Sequence, residues 1–229
     1  YSQDVANLKG FWEKRGFKPA FKKVSSEDAY AAQGELVASE NSPTVAEILD
    51  WMVLWSDNVL ADRLAALAAR AAGYPLNIQG IESIFRILLA QYQIDDSKLV
   101  VADASGLSKK NKITAKLMGE LLYKIRNEEK YALLHDSLPI AGVSGTLQDR
   151  FTTTSPSAVG LVRAKTGSLN GTATLAGYVQ STDREYVFVT LADDIAKGTS
   201  ALDKARAAID RVLGRIAAPN IPAEIIPAP

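Results

Sequence analysis

The strongest constraint on the fold is a change of hydrophobic pattern after residue 160. Upstream, apolar residues recur at helical spacing, whereas three later segments have the pattern of β-strands: Leu161–Thr166, Thr172–Gln180 and Arg184–Ala192. The last two are joined by the tight turn Ser181-Thr182-Asp183, and one more helix follows. This order predicts an α+β fold, with a helical region and an antiparallel sheet. A three-stranded sheet is thin and leaves an edge open unless another segment pairs with it.

Capping residues and apolar stripes mark the helices. Ser42-Pro43 supplies a capping hydroxyl followed by proline, and therefore predicts a helix start. That helix should break near Trp55–Asn58, and a second should follow and close at Gly73. Thr114 is expected to cap a later helix, and Ser200–Asp203 resembles a capping box for the last one. The remaining predicted elements are a helix within residues 1–18, a strand near Gly34–Ser39 and a helix over Ile81–Leu89.

Composition indicates an ordinary globular protein. The 229 residues are enough to bury a core, with 47% hydrophobic and 23% charged residues. The formal net charge is zero, so nothing points to nucleic acid or an anionic membrane surface as a partner. The absence of cysteine excludes disulfides, thiolate metal sites and a cysteine nucleophile. No apolar run is long enough for a transmembrane helix, and no signal peptide is visible.

Lys165-Thr166-Gly167 is the first candidate for chemistry, because it lies on a predicted strand. Lys165 carries a positive charge that suits a substrate carboxylate, and Thr166 and Ser168 add hydroxyl donors. Gly167 lets a ligand backbone approach without a Cβ in the way. The amide of Ser168 is a candidate donor to a developing oxyanion. The competing interpretation is a solvated strand lysine in a tripeptide that is common by chance.

Ser56-Asp57-Asn58 lies at the junction between two predicted helices, where polar side chains can face a cleft. The simplest interpretation is a helix cap by Ser56 or Asn58. The functional interpretation places Ser56 in a proton relay and gives Asn58 the task of binding a substrate amide. Asp57 would then turn away and hold the loop.

Together the two triplets resemble signatures of the penicillin-binding proteins, specifically the low-molecular-mass class C D-alanyl-D-alanine carboxypeptidases/endopeptidases. The resemblance covers most of residues 40–195 and keeps the family order. Ala104 departs from it, because it stands where the family has glycine. The matching blocks are Trp55–Asp62, Asp103–Asn111, Leu138–Leu147, and Arg163–Gly171 with Leu175–Val179.

The resemblance implies a fold like that of the penicillin-binding proteins and β-lactamases, and the mechanism of a serine-type peptidase. A serine attacks the D-Ala-D-Ala bond of a peptidoglycan stem peptide, and β-lactams acylate the same serine. Ser56 helps to pass a proton to the departing D-alanine, while Lys165, Thr166 and Ser168 hold the terminal carboxylate. The resemblance implies no metal, no organic cofactor and no nucleic acid, and it implies an extracytoplasmic location.

The family's nucleophile motif, Ser-x-x-Lys, is absent: no serine of the chain has a lysine three residues later. We expect the chain to be the C-terminal part of a longer protein, because Lys165 and Ser56 would have no obvious use in an inactive relative. Residues 1–216 would belong to its penicillin-binding (DD-peptidase) domain, and residues 217–229 would form a proline-rich tail. An N-terminal portion would supply the motif and complete the open sheet, so the chain alone is expected to be inactive. The alternatives are an inactive relative that binds peptidoglycan peptides, and a β-lactamase or esterase on the same fold.

Other candidates rank below these residues. His135 is the one histidine of the sequence, so any histidine-containing triad would need it, and its apolar neighbours favour a structural or exposed role. We interpret Asp193 and Asp194 as solvated carboxylates and not as a metal site, because the sequence around them has no pattern of further metal ligands. Ser144 lacks the strand–turn–helix context of an esterase nucleophile. Ser105 shares with such a nucleophile only the glycine that follows it.

Overall fold

The computed structural model describes residues 2–20, 25, 27, 39 and 41–219. The chain divides into two compact units, residues 1–42 and 43–229. In the first unit, helix α1 spans Ser2–Glu13 and is followed by Gly16 at φ 83°, which confirms the helix predicted within residues 1–18. The strand predicted near Gly34–Ser39 lies outside the described residues except for Ser39, and so does the tail beyond Pro219.

The second unit combines helices with an antiparallel sheet, as the α+β prediction requires. Its helices are α2 (Val45–Trp55), α3 (Asn58–Ala71), α4 (Ile78–Gln91), α5 (Ala115–Ile125), α6 (Ala132–Asp136) and α7 (Thr199–Ala217). Its strands are β1 (Val162–Leu169), β2 (Thr172–Gln180) and β3 (Glu185–Ala192). Short 3₁₀ helices cover Glu129–Tyr131, Gly145–Leu147 and Pro156–Ala158. Along the described residues, no helix is both long and apolar enough to span a membrane.

The sheet has the strand order β1-β2-β3, and both pairs are antiparallel. All three strands lie where the sequence predicts them. The main difference is that β1 continues past Thr166 to Leu169, so that Ser168 lies within the strand. In this register Lys165 is the partner of Ala176 on β2.

Helix α7 covers one face of the sheet. Side chains alternate along β1, so Ala164, Thr166 and Ser168 share this face and Lys165 lies on the other. The buried core here joins α7, β1, β2 and the loop before β1. It consists of Ala141, Leu147, Phe151, Ala158, Val162, Ala164, Ala173, Leu175, Val179, Ile209, Leu213 and Ala217.

The opposite face packs against α2 and α5. Tyr178 of β2 is buried against Val53 of α2 and Leu138, and its hydroxyl donates to the carbonyl of Leu122 at 3.0 Å. The edge strand β1 therefore runs between two helical layers, and Lys165 lies on the side of α2.

The start of α2 corrects a sequence prediction. The helix begins at Val45 rather than after Ser42, because Thr44 forms a reciprocal capping box with Glu47. The Thr44 hydroxyl accepts the Glu47 amide at 3.2 Å, and the Glu47 carboxylate accepts the Thr44 amide at 2.7 Å. The carboxylate accepts the Thr44 amide and also, at 2.8 Å, the Thr44 hydroxyl, and these two hydrogen bonds lower the pKa of Glu47.

The predictions for the other helix ends are confirmed in part. The predicted cap by Thr114 is confirmed, since its hydroxyl accepts the Leu117 amide at 3.1 Å. Gly73 follows α3 at φ 84°, as predicted. The capping box predicted from Ser200 is wrong: α7 starts one residue earlier, and Gly198 precedes it without a side-chain cap.

Candidate active site

A cleft in the second unit gathers the residues that the sequence singles out. It has a volume of about 1670 Å³ and lies where the end of α2, the start of α3 and the edge strand β1 meet. The predicted site residues on its wall are Ser56, Asn58, Lys165, Thr166, Gly167 and Ser168. The fold therefore brings the two triplets together in space.

The junction between α2 and α3 forms one wall. Ser56 ends α2 in the left-handed conformation, at φ 61° and ψ 48°, which costs an L-residue about 1–2 kcal/mol. Asp57 caps α3, because its carboxylate accepts the Leu60 amide at 3.0 Å. The capping role thus belongs to Asp57 and not to Ser56 or Asn58. Both of these side chains remain available to the cleft.

Lys165 connects this wall to β1. Its Nζ donates to Ser56 Oγ at 2.6 Å, across 109 residues of sequence, and to the carbonyl of Thr166 at 3.0 Å. Burial lowers the pKa of Lys165 to about 8, so the side chain is mainly an ammonium at neutral pH. An ammonium only donates, so the Ser56 oxygen accepts and the Ser56 proton is free for another partner.

Two further side chains contact the hydroxyls of β1. Thr146 Oγ1 lies 2.9 Å from Thr166 Oγ1, at hydrogen-bonding distance. Arg206 of α7 donates from Nη2 to Ser168 Oγ at 3.0 Å. The sequence interpretation did not include either residue. Thr146 lies in a block that resembles the family loop and could have been found there, whereas no local signal marks Arg206.

The backbone of β1 also faces the cleft. Earlier in the strand, the Ala164 amide donates outward to the carbonyl of Pro139 at 2.9 Å. Backbone direction alternates with a period of two along a strand, so the amides of Thr166 and Ser168 face the same outer edge. The Ser168 amide, predicted as an oxyanion donor, therefore points away from β2.

Gly167 satisfies a constraint from the neighbouring strand. A Cβ at this position would lie 2.2 Å from Thr174 Oγ1, a distance too short for any side chain. Thr174 is the cross-strand partner of Gly167 on β2. A side chain here would therefore force the Thr174 hydroxyl of β2 to move, a constraint that the sequence interpretation did not include.

A polar loop between α4 and α5 forms another part of the lining. The Asp103 carboxylate accepts the amides of Gly106 at 2.7 Å and Ser108 at 2.6 Å, and the Asn111 side chain at 2.7 Å. Burial would raise the pKa of Asp103, but the hydrogen bonds from Asn111 and the two amides outweigh it and lower that pKa. The Asp103 carboxylate therefore joins three donors within the loop.

Two of the remaining sequence candidates, His135 and Asp193, have local partners. His135 lines the cleft, with Nδ1 3.0 Å from Asp136 Oδ1 and its ring centroid 5.0 Å from that of Tyr178. Asp193 accepts the Thr172 hydroxyl at 2.9 Å. Within the described part of the chain, no cluster of three His, Asp or Glu side chains could hold a metal ion.

Comparison with protein families gives one match that covers most of the chain. The model of the D-Ala-D-Ala carboxypeptidase 3 (S13) family matches residues 5–216. This range contains both triplets and every cleft contact described above.

Curated relatives share substantial identity with the chain. Carboxypeptidase DacB of Mycolicibacterium smegmatis is 40% identical over 163 residues, which cover 69% of this chain and 35% of that protein. D-alanyl-D-alanine carboxypeptidase DacB of Haemophilus influenzae is 37% identical over 161 residues, which cover 68% of this chain and 33% of that protein. The chain thus spans about a third of the length of these relatives.

Solved structures confirm the predicted fold. Penicillin-binding protein 4 of Haemophilus influenzae, in complex with a β-lactam, matches with a TM-score of 0.66 and 32% identity, over 73% of this chain and 40% of that one. The Bd3459 predatory endopeptidase of Bdellovibrio bacteriovorus matches with a TM-score of 0.61 and 24% identity, over 76% and 45% of the two chains, and this likeness concerns the fold alone. The family match over residues 5–216, together with the identity to the curated relatives, establishes that the chain belongs to the S13 family of D-Ala-D-Ala carboxypeptidases.

Proposed function

We propose that this chain is the substrate-binding portion of a serine-type D-alanyl-D-alanine carboxypeptidase/endopeptidase that acts on peptidoglycan stem peptides. Membership of the S13 family and the activities named for its relatives support this function. The observation that carries the proposal is the 2.6 Å contact between Lys165 Nζ and Ser56 Oγ, because it joins the two triplets into one site. The nucleophile comes from a Ser-x-x-Lys segment of the same protein, a motif that this sequence does not contain.

Acylation begins when the serine of that segment attacks the carbonyl carbon of the D-Ala-D-Ala peptide bond. The lysine of the segment takes the hydroxyl proton as the C–O bond forms, and the Ser168 amide donates to the developing oxyanion. Lys165, with the hydroxyls of Thr166 and Ser168, binds the terminal carboxylate of the peptide. Asn58 binds a substrate amide, so the peptide is held at both sides of the reacting bond.

The scissile C–N bond then breaks, and the nitrogen of the departing D-alanine takes a proton through Ser56. Ser56 suits this relay because Lys165 donates to its oxygen and leaves its proton free. Water next attacks the acyl-enzyme, releases the shortened peptide and restores the nucleophilic serine. β-Lactams acylate the same serine in place of the peptide. Because peptidoglycan lies outside the cytoplasmic membrane, the proposed substrate implies an extracytoplasmic protein.

A second candidate is a peptidoglycan-peptide-binding relative without catalysis. The observation in its favour is that the chain has residues for carboxylate and amide binding but contains no Ser-x-x-Lys. Both candidates use the same cleft, and they differ in whether a covalent bond forms. Covalent labelling therefore separates them.

Labelled penicillin tests the proposal on the protein that contains this chain together with the Ser-x-x-Lys segment. Lys165→Ala should lower the second-order rate constant of acylation about a hundredfold, the effect of losing a charge-assisted hydrogen bond of about 3 kcal/mol. Release of D-alanine from a D-Ala-D-Ala peptide should fall in parallel. Lys204→Ala is the matched control, because it removes an exposed lysine of α7 and should leave both rates unchanged.

The possible outcomes separate the hypotheses. A wild-type protein that gives no covalent adduct would favour the non-catalytic relative. Near-normal labelling of Lys165→Ala would instead refute the assignment of the carboxylate site to β1.

A further inference from the structure

Arg206 reaches the edge strand from the face of the sheet opposite to Lys165. Its Nη2 donates to Ser168 Oγ at 3.0 Å, and Asp203, one turn earlier on α7, accepts its Nη1 at 3.2 Å. Ser168 lies on the α7 face of β1, whereas Lys165 lies on the α2 face. The triplet therefore lies between two cations, one on each face of the sheet.

The direction of the hydrogen bond between Arg206 and Ser168 is fixed by chemistry. A guanidinium has donors and no acceptor, so the Ser168 oxygen accepts and its own proton remains available. Both residues line the cleft, so this proton can be donated to a ligand there. An anion bound beside Ser168 would gain that hydrogen bond.

Lys165 has few free hydrogen-bond donors left for such an anion. Two of the three donors of its ammonium are used by Ser56 Oγ at 2.6 Å and the Thr166 carbonyl at 3.0 Å. A carboxylate has two oxygens and about four acceptor positions, so it needs donors beyond the one that Lys165 retains. The hydroxyl of Ser168 can supply one of these if its orientation is fixed.

A buried network holds Arg206 in place. Asp210 of α7 is only 2% exposed, forms an ion pair with Arg150 and accepts the Thr154 hydroxyl at 3.0 Å. Arg150 also donates to the backbone carbonyl of Arg206 at 3.3 Å. The helix is thus fixed to the loop that precedes β1, which preorganises Arg206 relative to Ser168.

We propose that Arg206 is a positioning residue for carboxylate recognition. It orients the Ser168 hydroxyl as a donor to the terminal carboxylate of the substrate, or to the carboxylate of a β-lactam. The proposal rests on the proposed function. It assigns to α7, in addition to the triplet on β1, a part in the selectivity for substrates that end in a carboxylate.

The test compares benzylpenicillin with its methyl ester, which lacks the charged carboxylate, on the protein that also carries the Ser-x-x-Lys segment. Arg206→Ala should lower the acylation rate constant for the free acid about tenfold to a hundredfold and leave that for the ester unchanged. In a Ser168→Ala background the same substitution should have little further effect, because it acts through that hydroxyl. Lys204→Ala, on the same helix, should affect neither compound.

Each other outcome has a distinct meaning. Equal losses for acid and ester would show a merely structural role and overturn the proposal, as would an unchanged rate for the acid. Failure of the wild-type protein to be acylated at all would refute the proposed function instead. If Arg206→Ala does not fold, Arg206→Met, which keeps most of the side-chain stem but has no donor, allows the same comparison.

Discussion

Lys165 is a charged group held where the fold disfavours charge. Burial lowers its pKa from the usual 10.5 to about 8. Between these values the unfolded chain binds the proton and the folded chain releases it, so stability rises with pH in that window. At neutral pH the buried ammonium therefore opposes folding. A lysine kept in such a position is typical of a functional site.

Acylation by penicillin should consequently decline as pH rises through about 8, because the ammonium that we propose binds the carboxylate loses its proton there. Above this point the second-order rate constant should fall about tenfold per pH unit, the slope expected for one proton. Lys165→Arg is the matched control, since a guanidinium stays charged throughout this range. The arginine variant should react more slowly but without the alkaline decline. An equally steep decline in that variant would assign the titration to another group.

Asp62 connects helix α3 to the polar loop between α4 and α5. Its Oδ1 accepts the amides of Ala104 and Ser105, each at 2.9 Å, which lie 42 and 43 residues further along the chain. Asp62→Ala removes this acceptor and should lower the free energy of unfolding by about 2 kcal/mol. Hydrogen exchange at the two amides should become faster in parallel, because the loop loses its connection to the helix.

Asp62→Asn provides the control for this connection. It keeps an oxygen acceptor at the same position, so it should retain most of the stability and of the protection from exchange. Unchanged exchange at Ala104 and Ser105 in the alanine variant would show that Asp62 does not order the loop.

Elements with local signals could be predicted from the sequence. The three strands and the Thr114 cap depend on residues that are close along the chain, and the structure confirms them. The start of α2 was misplaced because Ser42-Pro43 has the composition of a cap, whereas the reciprocal pair of Thr44 and Glu47 forms it. The sequence carries the signal for the true start, because Glu47 stands three residues after Thr44 as a capping box requires, whereas Val45 stands three residues after Ser42.

Contacts between distant elements could not be predicted in this way. Arg206 meets Ser168 only because α7 packs on that face of the sheet, and no pattern near Arg206 indicates it. The constraint on Gly167 is similar, because it arises from Thr174 once β1 and β2 are in register. The triplets are thus local signals that the sequence shows directly, whereas the residues that contact them depend on tertiary packing.

Across the second unit, helices approach the edge strand from both sides. α7 is fixed by the buried pair of Asp210 and Arg150 on one face, and the α2–α3 junction meets Lys165 on the other. Between them the outer edge of β1 faces the cleft with its Thr166 and Ser168 amides. This arrangement suits an extended peptide that adds to the strand and ends in a carboxylate.

The 229-residue chain alone should form no covalent adduct with penicillin. It lacks the Ser-x-x-Lys motif. Its cleft does contain a serine and a lysine in contact, but Lys165 donates a hydrogen bond to the Ser56 oxygen and therefore does not act as a base for Ser56. Intact mass after incubation with penicillin, on chain shown to be folded by circular dichroism, should equal the unmodified mass. The protein that includes the Ser-x-x-Lys segment should gain one penicillin under the same conditions. An adduct on the isolated chain that disappears in Ser56→Ala would make Ser56 itself the nucleophile, and the assignment of that role to another segment would be wrong.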